Sequence, residues 1–458
     1  RRPAFLKSLA DRPGLAHLQH SRMFNRTDPT LPNCLKNDCA FTYPASVPQF
    51  AFTKHEIGKV LTPCDQDPLK RSDTVGDFGV SHRHQLKNNT NSRAINPVRV
   101  NEGQTGSVFA LEIDGNKVAV FKPSLGEAFE RYGFRAGEGA IREEAVYLVD
   151  RLCGQQARVP VTTGATIEVD GESLEGAVQF FLDDAAGFAE DFSMGKDLAQ
   201  AVKKVSQADA EALALLDLRV FNTDRHGGNL LLLGSIWPKT LGPIDHGCCL
   251  PPWWALGEAR FEAWMDWPQL SDRPSDAART LAAEARRQLV RSCELLRELR
   301  LDVASIATLQ ICTCLVAVGV ADLGLPLAKL AQLMVRKDYS KFSWLEERVL
   351  ASATQEGAKV TVGRNKYNDK LFVLEDCGTA DESVFVDKLV ARLENVFREQ
   401  LVGACAVEAD DDDDEGAVLH RTRATWVTLP HPAMSTALSS VASSAEDDKS
   451  PIQRSHAA

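Results

Sequence analysis

No two of the eleven cysteines stand in a C-x-x-C spacing, and the odd count excludes complete pairing into a disulfide framework. Cys248, Cys249, Cys312 and Cys314 lie inside apolar segments, the setting of reduced, buried thiols, which points to a cytosolic protein. Positive charge is also short. The 52 Lys and Arg face 63 Asp and Glu, and the net charge of −11 argues against nonspecific attraction to nucleic acid; an anionic membrane would need a local basic patch. There is no G-K-[ST] tripeptide and hence no P-loop. No secretory signal pattern is visible, and because the chain opens on Arg1 an upstream segment stays open. The longest uncharged run, 303–321, reaches membrane-spanning length but carries Ser305, Thr308, Gln310 and Thr313; a buried helix is expected, with a single membrane anchor as the alternative.

What is present is enough for a large core: 458 residues, 44% of them hydrophobic. Residues 1–95 mix Pro, Asn, Asp and His without sustained periodicity and read as a poorly ordered leader. At the other end, the acidic run 410–415 and the Ser/Ala-rich stretch after it read as a disordered tail over 410–458. Between them, segments 107–113 and 117–122 are β-branched and apolar and are joined by Asp114-Gly115-Asn116, the chemistry of a hairpin turn. Ile141, Ala145, Leu148, Val149 and Leu152 fall on one helical face, and strand signals return at 165–169 and 176–182. The rest is mainly helical. The expected fold is therefore α+β and two-lobed: a small β-rich lobe with one helix over 96–183, a larger helical lobe over 184–355, and a partly ordered extension over 356–409.

Polar residues cluster at a few points in this frame. Gly103, Gly106 and Ser107 precede the hairpin, where glycines let backbone amides approach phosphate oxygens. Lys122 ends the paired strand on the side of Val118 and Val120, near that loop, where it could hold the phosphates of ATP; a strand-end Lys reaching into water is the plain alternative. Such a Lys needs an acidic partner, and the helix offers Glu143 and Glu144, of which helical geometry favours Glu144. The segment 218–232 packs Asp224, Arg225, His226 and Asn229 into a short loop between a helix and an apolar strand, a density of polar groups that burial penalises unless they bind something. Asp224 or His226 could steer an attacking hydroxyl, while Asn229 and Asp245, the latter after a second short strand, could hold a cation. A metal-dependent hydrolase competes for the same Asp/His cluster but leaves Lys122 and the glycine loop unexplained.

Together these residues resemble a known family. Val120-Phe121-Lys122-Pro123, the helix from Gly139 to Asp150, Asn222-Thr223-Asp224-Arg225-His226-Gly227-Gly228-Asn229 and Ile244-Asp245-His246-Gly247 occur in the order of the phosphatidylinositol 3- and 4-kinase superfamily, and are most similar to plant-type (gamma) and type II phosphatidylinositol 4-kinases. The resemblance covers a little over half of the chain and implies a kinase-like fold and an ATP-dependent phosphotransferase using Mg2+, or Mn2+ in its place. It implies that Gly103, Gly106, Ser107 and Lys122 contact ATP phosphates, that Glu143 pairs with Lys122, and that backbone near Gln179, Phe180, Phe181 and Leu182 recognises adenine. It further implies that Asp224, Arg225 and His226 form the catalytic loop and that Asn229 and Asp245 bind the metal. Thr105 stands where the family usually has another glycine.

The acceptor is less legible. Segment 248–269 carries only Arg260 against Glu258, Glu262 and Asp266, which is thin for an anionic inositol headgroup. Phosphatidylinositol in a membrane is the acceptor that the resemblance implies; a protein hydroxyl is the alternative, and a binding scaffold without catalysis a third reading. Trp264 and Trp267 are expected in the core, whereas Trp253-Trp254 after two prolines is the expected exposed contact for a peripheral membrane association.

Overall fold

A computed structural model of the chain describes residues 95–102, 107–127, 131–182, 184–192, 204–365, 368–379 and 381–407. Strands β1 (Asn96–Glu102), β2 (Ser107–Ile113), β3 (Asn116–Pro123), β4 (Thr162–Val169) and β5 (Glu172–Phe180) form an antiparallel sheet in the order β1-β2-β3-β5-β4. The β2–β3 turn places both Asp114 (φ 52°) and Gly115 (φ 74°) in the left-handed region, the geometry whose twist matches that of a two-residue hairpin. Register then fixes the faces: Phe109 opposes Phe121, and Phe121 opposes Val178. With Leu111, Ile167 and Val169 these form one buried cluster. Lys122, next along β3, points the other way, towards helix α1 (Gly139–Leu152).

The large lobe opens with a three-stranded sheet, β6 (Ala185–Phe188), β7 (Leu230–Leu233) and β8 (Thr240–Pro243). Helix α2 (Gln207–Arg219) is started by Ser206, whose hydroxyl accepts from the Asp209 amide, and leads into the 218–232 loop. Around it pack α3 (Asp276–Arg287), α4 (Leu289–Glu298), α5 (Val303–Val316), α6 (Leu327–Met334) and α7 (Trp344–Gln355). This is the two-lobed α+β arrangement expected, a β-rich lobe with one helix followed by a larger, mainly helical lobe. Helix α5 and the π-turns that continue it to Asp322 are long and apolar enough to cross a membrane, yet 89% of the span is buried within the protein: it is a core helix.

Segment 356–409, expected as a partly ordered extension, supplies the hairpin β9 (Lys359–Arg364)–β10 (Lys370–Asp376) and helix α8 (Glu382–Val407). Phe385, Leu389, Leu393, Phe397 and Leu401, four residues apart, lie in the large-lobe core with Phe372. Trp253 corrects another expectation. It is fully buried, with its ring 5.7 Å from Phe372 and 5.4 Å from Phe385, while Trp254 is half-buried against Tyr132. Trp264 and Trp267 are buried as expected. Cys153, Cys248, Cys249, Cys293, Cys312 and Cys314 are buried free thiols.

Candidate active site

The site forms where the end of β3, helix α1 and the two loops flanking the β7–β8 hairpin converge. Lys122 donates to Glu143 and, at 3.0 Å, to Asp245 Oδ1, so one ammonium links the small lobe, α1 and the large lobe. Burial opposes its charge, but Asp245 and Glu143 outweigh that and raise its pKa above the ordinary lysine value. The reciprocal holds for Glu143. Burial would push this carboxyl up, yet Lys122, with His246 Nδ1 3.6 Å away, holds it well below the usual carboxylate range. Gln179 Nε2 donates to the other Glu143 oxygen (3.3 Å) and to Thr162 Oγ1 (3.1 Å), fixing the carboxylate from the strand side.

The preference for Glu144 is overturned. Glu144 accepts from the Gly164 amide (2.8 Å) and Thr163 on β4, beside the site but not in it. The apolar stripe misleads because α1 is enclosed by the sheet on one side and the large lobe on the other. Arg142 of the same helix has no exposed surface and donates to the carbonyls of Cys249 (3.0 Å) and Leu250. A helix covered on both sides does not mark its inward residues by amphipathicity.

Below the cleft, α2 delivers the loop from Asn222 to Asn229. Asp217, fully buried on α2, accepts from Asn222 Nδ2 (2.9 Å), Arg225 Nε (2.9 Å) and Trp264 Nε1 (2.8 Å). Arg225 also donates to the carbonyls of Ile244 (3.0 Å) and Asn229. Expected among the catalytic residues, Arg225 has no exposed surface and braces the two loops from beneath. Nor is His226 free on its δ side: Nδ1 accepts the Gly228 amide at 3.1 Å and caps the 3-10 turn that carries Asn229. The Ile244 amide donates to the Asn229 carbonyl (3.1 Å), which sets Asn229 and Asp245 side by side at the end of the β7–β8 ladder.

Asp224 is partly exposed and doubly restrained. Its amide donates to Asn222 Oδ1 (2.8 Å), and its Oδ1 accepts from Arg131 Nη2 at 2.9 Å. Arg131, in the β3–α1 connection, also donates to Thr223 O (2.8 Å) and Oγ1 (2.9 Å); Asp217 and Arg131 are two residues of the site that the motifs did not mark, while His246, inside the Asp245 motif, gains a place beside Glu143. Asp217 had a signal, a carboxylate among the leucines of an apolar helix, whereas Arg131 lies in a stretch with no pattern. Burial pushes the Cys248 thiol up to about 12, so no thiolate nucleophile stands beside Asp245.

The other expected nucleotide contacts are distributed differently. The amides of Phe180 and Phe181 donate to Val161 O (2.9 Å) and Val118 O (3.1 Å), and the Gln179 side chain serves Glu143, so these groups are engaged within the protein. Ser107 begins β2 and accepts from Arg99 Nη2 (2.9 Å); Gly103 and Gly106 lie outside the described residues.

No family model matches the chain. Among curated proteins it is 30% identical over 286 residues to phosphatidylinositol 4-kinase gamma 4 of Arabidopsis thaliana, covering 55% of this chain and 49% of that protein. It is 35% identical over 203 residues to phosphatidylinositol 4-kinase gamma 4 of Oryza sativa, covering 38% and 34%. The chain thus spans about half, or less, of the length of the curated relatives it matches. Among solved structures, the Helicobacter pylori proinflammatory kinase CtkA aligns with a TM-score of 0.31 at 13% identity over 52% of this chain and 96% of that one. The Golgi casein kinase crystallised with Mn/ADP aligns with a TM-score of 0.32 at 15% identity over 53% and 72%.

Proposed function

We propose that this chain is an ATP-dependent phosphotransferase of the phosphatidylinositol 4-kinase type, moving a γ-phosphate to an inositol-lipid hydroxyl. One observation carries the reading: Lys122 joins Glu143 to Asp245, with Asp224 and Asn229 on the adjoining loop. A strand-end ammonium tied to a helical glutamate is placed to hold ATP phosphates, because phosphoryl transfer needs positioning and charge stabilisation more than covalent chemistry.

The donors present fit a divalent cation. The Asn229 amide nitrogen is engaged by the Asp224 carbonyl (3.0 Å), which leaves its oxygen as the acceptor, and the Asp245 carboxylate is 46% exposed and held from one side by Lys122. Asn229 and Asp245 would hold Mg2+ or Mn2+, which when bound would neutralise phosphate charge. Asp224 orients the acceptor hydroxyl and takes up its proton. Lys122 holds the donor phosphates, and Glu143 keeps Lys122 extended across the cleft. The match to relatives named as phosphatidylinositol 4-kinases supports the lipid as acceptor.

A protein serine or threonine hydroxyl is the second reading, favoured by the charge beside Asp224. Arg260 is paired twice with Glu262 (2.9 and 3.1 Å) and Arg131 is paired with Asp224, so neither arginine meets a phosphodiester without leaving a partner. The test is transfer from magnesium-ATP to phosphatidylinositol vesicles and, in parallel, to a generic protein substrate. Lipid product from the wild type, lost in Asp245→Ala, supports the first reading. Phosphoprotein without lipid product replaces it with the second, and nucleotide binding without transfer to either contradicts both.

A further inference from the structure

The β3–α1 connection does more than join two elements. From Arg131 to Glu138 it lies along the large lobe: Tyr132 Oη donates to Phe372 O at 2.7 Å, and its ring stands edge-on to Trp254 at 5.5 Å. Gly133, at φ +84°, comes so close to the lobe that a Cβ there would sit 2.6 Å from Ala255 Cβ. Phe134 receives the Arg142 guanidinium on its face at 4.7 Å, and Glu138 pairs with Arg142 at 2.8 Å. Within this seated segment, Arg131 is directed into the cleft, 15% exposed, and meets the loop at three atoms: Thr223 O, Thr223 Oγ1 and Asp224 Oδ1.

The two Asp224 oxygens are therefore unequal. Oδ1 is fixed by Arg131, with Arg260 Nη1 further off at 3.7 Å. Among the described residues Oδ2 has only a long contact of 3.5 Å, from Asn229 Nδ2. A carboxylate that orients a hydroxyl needs one oxygen open and a fixed rotamer, because the reacting atoms tolerate little misplacement. The guanidinium fork supplies both by holding one oxygen and the backbone of the preceding residue together.

We infer that Arg131 is a positioning residue for phosphotransfer, holding Asp224 by Oδ1 so that Oδ2 faces the acceptor, and that it makes the catalytic loop's geometry depend on the seating of the β3–α1 connection. This rests on the phosphotransferase reading above. Arg131 touches neither nucleotide nor acceptor in this role, so its loss acts on kcat through Asp224.

The experiment is a double-mutant cycle in the full chain, measuring kcat and the KM for ATP in wild type, Arg131→Gln, Arg131→Lys, Asp224→Asn and the Arg131→Gln/Asp224→Asn double variant. Arg131→Gln is expected to lower kcat about 10- to 100-fold with KM for ATP unchanged. Arg131→Lys should recover part of the loss and carries the same comparison if the Gln variant does not fold. In the Asp224→Asn background, removing Arg131 should cost nothing further. An equal loss in both backgrounds, an unchanged kcat, or a loss that appears as a raised KM for ATP would overturn the inference. A wild type that transfers no phosphate at all would overturn the phosphotransferase reading first, and the two failures are thereby told apart.

Discussion

Asp217 and Glu143 are both buried carboxylates, each at the centre of one half of the site, but their partners differ. Asp217 binds Asn222, Arg225 and Trp264, all in the large lobe, and lies among the leucines of α2. Glu143 binds Lys122 and Gln179 from two strands of the small lobe and stands beside His246 from the large lobe. One network closes within a single packed body, whereas the other spans the cleft. The first belongs to folding: a buried ion pair whose partners already share a core sets the loop's shape before any ligand arrives. The second is conditional: it holds together only while the small lobe, α1 and the Asp245 loop are in register.

Substitutions can break this contrast. The largest effect on activity is expected at the junction of the two networks: Asp245→Ala should lower phosphate transfer by about 10²- to 10⁴-fold while the melting temperature changes little, because its side chain is 46% exposed. Asp217→Ala should act on the fold instead. It leaves Arg225 buried without its carboxylate, and should cost about 3–5 kcal/mol in urea unfolding. Glu143→Gln should reduce transfer by about 10- to 100-fold with Glu144→Gln near wild type, since of the two glutamates it is Glu143 that touches Lys122. Equal losses in the two glutamate variants would remove the distinction between them.

The smallest effect is in pH dependence. Lys122 depresses the folded-state pKa of Glu143 below its unfolded value of about 4.3. Its contribution to stability is therefore present above that value and is lost as pH falls through the folded pKa. Unfolding free energy of wild type should decline more steeply below about pH 4 than that of Glu143→Gln. Parallel curves would mean that the Lys122–Glu143 pair forms without a difference between folded and unfolded states.

The lobes, the hairpin and the order of Lys122, Asp224, Asn229 and Asp245 were legible in the sequence because turn chemistry and strand alternation are local signals. Glu143 was not legible from helix geometry, since α1 is covered on two sides and its stripe marks only one of them. Arg225 looked catalytic by its place in the motif, and only the packing places it under the loop on Asp217. Trp253 read as exposed because its cover, Phe372 and Phe385, comes from more than a hundred residues away. The extension over 356–409 read as only partly ordered, because the apolar residues of α8, four positions apart, mark it as core only once a partner surface is known. Arg131 had no signal at all, because its meaning lies in a contact with Asp224 across the cleft.

Lys122, Asp224, Asn229 and Asp245 together make up the proposed phosphotransfer site. The most direct measurement is γ-phosphate transfer from magnesium-ATP by the full chain, wild type against Asp245→Ala, with folding checked by melting temperature. Transfer by the wild type and its loss in a folded Asp245→Ala variant is the predicted result. Undiminished transfer in that variant would contradict it.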